Sequence, residues 1–242
     1  MGLSVSEVGA PRTYLEAVQK LMGGCGLDRA TSLDGADRNT TRAMEAVQSA
    51  LYEIWYEAQW DFRFKWGTHE LVAKTMWYEL PEDFDQPGTE CGVHKQVWPI
   101  TYKHYEWLLE QYPYIRNIPA EFSDSSLTDE ADEIDHSGQT GYWTIKGGYL
   151  GLVPAPSADH ITATSDKVVY GYYKHFVEPV EGGDELGISR ELYPAHHYIA
   201  LGQFKQMLEW SDFKVSEDRG RFLLAKQTVR HQKKYFGDSQ LI

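Results

Sequence analysis

Apolar residues recur every three or four positions near both ends of the chain, which is the spacing of an amphipathic helix. Residues 11–22 predict a short helix that has Pro11 in its first turn and stops at Gly23-Gly24. A longer helix follows a polar connection, and its apolar residues are Ala43, Val47, Ala50, Leu51, Ile54, Trp55 and Ala58. Residues 193–210 and 217–235 predict two further helices, with apolar residues Tyr198, Leu201, Phe204, Leu208, Phe222, Leu223 and Val229.

The middle of the chain has the composition of β-strands. Residues 68–80 mix β-branched and aromatic side chains before a turn at Pro81-Glu82-Asp83, and residues 93–100 and 168–177 are similar. Thr101 is placed to cap a short helix that ends before Pro113. Gly147-Gly148 separates two β-rich runs and predicts a tight hairpin, because glycine reaches the positive φ angles of hairpin turns without steric cost.

Helices that flank a β-rich middle predict an α+β fold, in which a helical bundle from both chain ends carries an inserted β-sandwich-like lobe. We predict an N-terminal helical hairpin at residues 1–60, the β-rich lobe at 61–189, and C-terminal helices at 190–242. Residues 121–135 contain seven acidic residues and no basic one, which predicts a solvated loop.

Composition and charge narrow the possible functions. The 242 residues carry 23 Lys and Arg against 36 Asp and Glu, which gives a net charge of −13. A protein whose main task is to grip DNA needs a surplus of basic residues, so this balance argues against that class. No apolar run approaches the roughly 20 residues that cross a bilayer, and we expect a soluble protein that is not exported. Cys25 and Cys91 are predicted to be free thiols.

The sequence contains no established pattern of catalytic or cofactor-binding residues. It lacks the nucleophile elbow, the phosphate-binding loops and the His-Glu-x-x-His motif, so we predict no enzyme activity, no cofactor and no metal site. His196 and His197 have no carboxylate at ligand spacing, which favours an exposed or interface pair. The 8 Trp and 16 Tyr leave a carbohydrate-binding β-sandwich module open, although Glu53 and Glu57 are expected to be ordinary surface charges.

Two groups of residues are candidates for protein contacts. Aromatic residues cluster where the second helix gives way to the β-rich region, and such side chains are favoured in cores and at subunit interfaces alike. The subunit-interface candidates are Trp55, Trp60, Phe62 and Trp66. The last helix is locally basic in an acidic protein, which either the helix dipole or docking onto an acidic partner would explain.

Four stretches are distinctive in their order and spacing. They are WYEAQWDF at residues 55–62, YELPEDF at 78–84, LGLVPAP at 150–156 and a Tyr-rich strand at 170–173. Together with the N-terminal helical hairpin, this order resembles the head-to-tail adaptor proteins of tailed bacteriophages, including the tail tubular protein A group. The likeness extends over about residues 12–208.

The resemblance implies a structural protein without catalytic activity that forms a ring, commonly of twelve copies, beneath the portal protein. Such a ring joins the DNA-filled head to downstream tail proteins and lets DNA pass as cargo. The C-terminal segment would hold the portal, through Arg230, Lys233, Lys234, Tyr235 and Phe236. The resemblance also implies a place in the neck of the virion, after assembly in the host cytoplasm, with no cofactor and no membrane.

The charge of the chain agrees with a DNA conduit, because an acidic lumen repels phosphate and lets the duplex slide. Two alternatives to the adaptor stay open at this point. One is another neck or tail-completion protein, which would bind the tail tube rather than the portal. The other is the carbohydrate-binding module, which predicts a concave aromatic platform.

Overall fold

The computed structural model of the chain describes residues 11, 13–93, 100–116, 137–163 and 167–236. Its mixture of helix and sheet confirms the predicted α+β class. Contacts within the chain divide it into two compact units. The helical unit comprises Met1–Phe62 and Phe176–Ile242, and the β unit comprises Arg63–His175.

The helices and strands of the described residues are numbered in chain order. They are α1 (Tyr14–Gly24), α2 (Arg38–Glu57), β1 (Phe64–Glu70), β2 (Trp77–Glu79), β3 (Phe84–Val93), β4 (Thr101–Tyr102), α3 (Tyr105–Gln111), β5 (Ser137–Gly138), β6 (Tyr142–Lys146), β7 (Tyr149–Val153), β8 (Ala155–Pro156), α4 (Ala158–Ala163), β9 (Lys167–Lys174), α5 (Tyr193–Met207) and α6 (Phe213–Phe236). Short 3-10 helices lie at Asp61–Arg63, Pro113–Arg116 and Arg190–Leu192.

Side-chain caps set the start of both N-terminal helices. The Thr13 hydroxyl accepts a hydrogen bond from the Glu16 N–H at 3.3 Å, and the Thr13 N–H donates to the Glu16 carboxylate at 3.4 Å, which is a capping box. Helix α1 therefore begins at Tyr14, and the prediction that Pro11 lies in its first turn is wrong. Asp37 caps α2 by accepting from the Thr40 N–H at 2.7 Å.

Helices α5 and α6 pack so closely that two glycines are required. A Cβ atom added to Gly220 would lie 2.6 Å from the backbone nitrogen of Ile199, and one added to Gly202 would lie 2.7 Å from Cβ of Glu217. The buried line of α6 is Ser216, Gly220 and Leu224. Of the residues predicted to form the apolar face of this helix, Leu223 packs against the core, whereas the prediction is wrong for Phe222 and Val229, which are exposed.

The segment after the β unit is tied to the helical unit by hydrogen bonds. The Gln48 amide donates to the Pro179 carbonyl at 3.0 Å, and the Tyr14 and Leu15 N–H groups donate to the carbonyls of Asp184 and Gly182. Residues 176–189 thus pack with α1 and α2, whereas the sequence prediction includes them in the β-rich lobe.

The β unit contains three sheets. Strands β1, β9 and β3 form an antiparallel sheet with β9 in the centre, and β2, β7, β6 and β4 form a second sheet in which β4 runs parallel to β6. Strands β5 and β8 form a short parallel pair. The hairpin between β6 and β7 is confirmed, since Gly147 and Gly148 have φ angles of 57° and 81°.

The two larger sheets of the β unit share one hydrophobic core. Strand β9 contributes Val168, Tyr170 and Tyr172, and the second sheet contributes Trp143 and Leu150 among others. Arg63 is also buried, and its guanidinium donates to the Asp85 carboxylate at 2.6 Å. The pair neutralises a charge that would otherwise be costly to bury.

Three local predictions for the β unit differ from the structure. Thr101 lies in β4 instead of capping a helix, and His104 precedes α3. Strand β3 was not predicted; it lies at the edge of its sheet, where a proline is tolerated, and its pairing with β9 becomes irregular directly after Pro87. The predicted strand at 93–100 contributes Val93 to the end of β3, while residues 94–99 lie outside the described residues, as does the acidic segment 121–135.

Candidate functional site

The helical unit has an open cleft of about 700 Å³ that lies between the end of α2 and the C-terminal half of α6. It is lined by Trp60, Asp61, Phe62, Ser189, Arg190, Glu191, Leu192, Gln227, Arg230 and His231. Three of the predicted contact residues therefore line one site, namely Trp60, Phe62 and Arg230.

Trp60 forms the base of the cleft and closes the C-terminus of α2. Its indole N–H donates to the Ile54 carbonyl at 2.6 Å, which satisfies one of the carbonyls that a helix leaves free at its end. Phe62 stacks on Trp60 with 6.2 Å between ring centroids and meets Trp55 edge-on at 5.3 Å. The aromatic side chains that line the cleft are therefore packed against the helical core.

His231 links α6 to the same junction. Its Nε2 atom lies 2.8 Å from the Gln59 carbonyl, and since a carbonyl only accepts, Nε2 carries the hydrogen. The ring lies over Trp60 at 5.2 Å, and Nδ1 is 3.9 Å from the Asp61 carboxylate. The histidine thus positions α6 against the end of α2.

Two exposed arginines lie at the rim of the cleft. Arg190, from the 3-10 helix Arg190–Leu192, and Arg230, from α6, are exposed, and neither forms an ion pair with another described residue. A guanidinium binds carboxylates through two parallel N–H groups, so these residues can receive acidic side chains of a partner. An aromatic base with arginines at its rim is a common composition of protein-binding sites.

The remaining predicted interface residues have different environments. Trp55 and Trp60 are almost fully buried in the core of the helical unit, so intrachain packing uses most of their surface. Trp66 belongs to β1 in the β unit and is 56% exposed. Lys233, Lys234, Tyr235 and Phe236 lie in the last turns of α6, and their side chains are outside the described part of the structure.

The expectation of an exposed histidine pair is wrong for His196. This residue is buried in α5, where its Nε2 donates to the Val47 carbonyl of α2 at 3.2 Å. Burial lowers the pKa of His196 to about 4, and the hydrogen bond to Val47 opposes this shift only in part. Burial and the nearby Lys20 lower the pKa of His197 as well. Both rings are neutral at pH 7.

Glu53 is not an ordinary surface charge, because the Arg221 guanidinium lies 2.6 Å from its carboxylate and also binds Glu217.

Both cysteines are free thiols, as predicted. Among the described residues, no cluster of His, Cys, Asp or Glu could hold a metal ion. In the same residue ranges, every helix is too short or too polar to span a membrane.

Comparison with known proteins gives no assignment to a family. The chain matches no protein-family model, and no curated protein is significantly similar to it.

Proposed function

We propose that the protein is a head-to-tail adaptor of a tailed phage, a structural ring beneath the portal that joins the head to the tail and lets DNA pass. In this proposal, helices from both chain ends form a bundle that carries a β-sandwich-like lobe. The ring, of about twelve copies by the resemblance, binds the portal with the helical unit and offers the lobe to tail proteins.

The observation that carries the proposal is the way the chain is divided. Helices from the two ends pack with one another, while one continuous segment, Arg63–His175, forms the β unit between them. This is the organisation predicted from the order of the elements, which resembles that of the adaptors. The acidic chain, with its net charge of −13, agrees with a conduit that must not hold DNA.

The portal-docking surface is proposed to include Arg230 at the rim of the cleft and the residues of the next turns of α6, Lys233, Lys234, Tyr235 and Phe236. A deletion of residues 217–242 would be a poor test, because it removes Gly220 and Leu224 from the helical core. Arg230 is exposed, and a point substitution there changes the surface and leaves Gly220 and Leu224 in place.

The test is the affinity of the double variant Arg230→Glu/Lys233→Glu for the portal protein from the same genome. We expect at least about a tenfold loss of affinity, since charged groups at the edge of an interface become repulsive when reversed. Lys167→Glu, an exposed lysine of the β unit, is the matched control and should bind like the wild type. Equal affinity of the double variant and the wild type would rule out docking through this end of α6.

A further inference from the structure

Helix α6 has an exposed side on which apolar residues recur at a regular spacing. Val215, Phe222 and Val229 lie seven residues apart, and because seven residues complete almost two turns, they share one side of the helix. They are 72%, 68% and 43% exposed, respectively. The helical unit buries another side of α6, so the described part of the chain leaves this one uncovered. We name these three residues the apolar stripe.

A row of basic residues borders the apolar stripe on one flank. Arg219, Lys226 and Arg230 are exposed, and their spacing of seven and four residues places them along that flank. None of the three forms an ion pair with a described residue, and Arg219 instead lies over the Tyr198 ring, 4.3 Å from its centroid. We name these three residues the basic row.

The acidic groups near α6 lie mostly beyond the other flank of the stripe. Asp218 is exposed there, one turn after the exposed Lys214. Glu217 and Glu53 are both bound by the Arg221 guanidinium, at 2.9 and 2.6 Å, so their charges are used within the chain. These contacts leave the basic row uncompensated.

The cleft offsets the charge of the basic row at one end only. Arg230 lines the cleft together with Arg190, Asp61 and Glu191, so the charges of the cleft balance one another. Arg219 and Lys226 do not line the cleft. Helix α6 as a whole has seven basic and two acidic residues, in a chain whose net charge is −13. The exposed side of α6 therefore fits a partner that is acidic and contains apolar residues.

The chain itself contains a segment of this chemistry, at residues 121–135. The segment, EFSDSSLTDEADEID, has seven acidic residues and no basic one. Four of its acidic residues lie between Leu127 and Ile134. These two apolar residues are seven positions apart in the sequence, which is the spacing of the apolar stripe. The segment thus complements α6 in charge and matches the stripe in the spacing of apolar residues.

We infer that residues 121–135 of one copy bind the apolar stripe and the basic row of α6 in a second copy. The carboxylates of the segment pair with Arg219 and Lys226, and its apolar residues cover the exposed surface of Phe222. Each copy carries both partners, so it can bind one neighbour through α6 and another through the segment. That the contact joins two copies rests on the proposed ring, whereas the recognition of the segment by α6 does not.

The size and charge of the two partners set the strength of the contact. Helix α6 has 24 residues and is about 36 Å long, so a short segment on one of its sides buries less than the roughly 1,200 Å² typical of stable complexes. Salt screens exposed charges, because the Debye length falls from about 10 Å at 0.1 M to about 3 Å at 1 M. We therefore expect weak association that decreases as the salt concentration rises.

The first test measures binding of a labelled synthetic peptide, residues 119–136, to the full-length protein by fluorescence anisotropy. We expect saturable binding at low salt and at least about a tenfold loss of affinity when salt is raised tenfold. Lys226→Glu should also weaken binding about tenfold or more, whereas Lys167→Glu, an exposed lysine of the β unit, is the matched control.

The apolar part of the contact has its own pair of variants. Phe222→Ser should weaken peptide binding about tenfold, since it removes the central residue of the stripe. Val180→Ser is the matched control, because Val180 is 71% exposed in the same unit and lies outside the stripe. Far-UV circular dichroism shows whether each variant keeps its helical content.

An exchange of charges tests the pairing directly. A peptide that carries Glu130→Lys and Glu133→Lys should no longer bind the wild-type protein. It should bind the Lys226→Glu variant more tightly than it binds the wild type, because the signs of the two partners are then opposite again. A general effect of peptide charge on solubility or labelling would not follow this exchange.

The second test is sedimentation velocity of the full-length protein without portal. The average mass should rise with concentration and fall with salt. A variant in which the four acidic residues between Leu127 and Ile134 are replaced by their amides should be monomeric, as should Lys226→Glu/Phe222→Ser. A mixture of these two variants retains one intact pair of surfaces and should give a one-to-one dimer and nothing larger.

Three results would overturn the inference. The peptide would show no saturable binding at low salt, or it would bind Lys226→Glu as tightly as the wild type. Alternatively, the wild type would stay monomeric while the amide variant of the segment binds the peptide more tightly than the wild type, which indicates a contact within one copy. These results leave portal binding unaffected, and the portal proposal is tested separately by Arg230→Glu/Lys233→Glu, which keeps Lys226 and Phe222.

Discussion

Because α5 and α6 approach closely, we expect Gly220→Ala to lower the free energy of unfolding, whereas helix propensity alone predicts that it would raise it. Replacing Gly220 by alanine in an exposed helix would stabilise it by about 1 kcal/mol. Here the added Cβ would lie 2.6 Å from the Ile199 nitrogen and 3.0 Å from the Tyr198 carbonyl carbon. These are backbone atoms, so no side-chain rotation can relieve the overlap, and the helices must separate.

The magnitude follows from the balance of these two effects. Overpacking a tight core costs about 1–3 kcal/mol, and contact with backbone atoms places Gly220→Ala near the upper end of that range. After subtraction of the propensity gain, we expect the free energy of unfolding to fall by roughly 2 kcal/mol. The separation would also loosen Leu224, which is buried on the next turn of α6.

The assay is chemical denaturation followed by far-UV circular dichroism, which reports mainly on the helical unit. Gly24→Ala is the matched control, because Gly24 is also helical and its nearest neighbouring atom, Cδ1 of Leu201, would be 3.9 Å from the new Cβ. We expect this control to be neutral or slightly stabilising. Equal stabilisation by Gly220→Ala and Gly24→Ala would refute the close packing of α5 on α6.

Three further predictions concern other parts of the fold. Burial lowers the pKa of His196 from its ordinary 6.5 to about 4, so the unfolded chain binds a proton more readily, and the free energy of unfolding should fall by up to about 3 kcal/mol as the pH is lowered from 6.5 to 4. Denaturation curves over a pH series measure this, and an unchanged dependence of stability on pH in His196→Gln would contradict it. Arg63→Met should destabilise the β unit by about 3 kcal/mol, since it leaves Asp85 without its buried partner. Lys65→Met removes the exposed ion pair with Asp83 and should cost under about 1 kcal/mol. Similar losses of stability in both variants would be inconsistent with the burial of Arg63. Thr13→Ala should lower the stability of the helical unit by about 1 kcal/mol, and Thr13→Ser should keep most of that stability. Denaturant titration measures the difference between the two variants, and equal stability of both would contradict a role for the capping box.

Local signals in the sequence predict a substantial part of the fold. The Gly147-Gly148 hairpin is predictable because its turn depends on the φ angles of two adjacent residues. The apolar period of α2 is equally local, and all of its predicted apolar residues except Ala58 lie in the buried side of that helix. These elements need no knowledge of their partners.

Helix α6 shows why other features could not be predicted. Its packed line contains Ser216 and Gly220, which allow close approach and carry no hydrophobic signal, while Phe222 and Val229 suggest a core that lies on the opposite side. A periodic pattern identifies an apolar face, but it does not say whether that face is covered by the same chain or by another. The sequence therefore predicts the helix and misassigns its surfaces.

The candidate site depends on contacts between distant parts of the sequence. Trp60, Arg190 and Arg230 line one cleft, although about 130 residues separate the first two. Trp60 and Arg230 are predictable from separate features of the sequence, whereas Arg190, Gln227 and His231 are not. The histidine had no recognisable signal, because its role is to bind the Gln59 carbonyl at the end of another helix.

The adaptor proposal is tested most directly by analytical ultracentrifugation of the protein mixed with the portal ring from the same genome. The proposal predicts one discrete species that is heavier than the portal alone, with a fixed ratio of adaptor to portal subunits. That ratio would give the number of copies in the ring. Independent sedimentation of the two proteins at low and at high salt would contradict the proposal and favour a tail-completion or glycan-binding function.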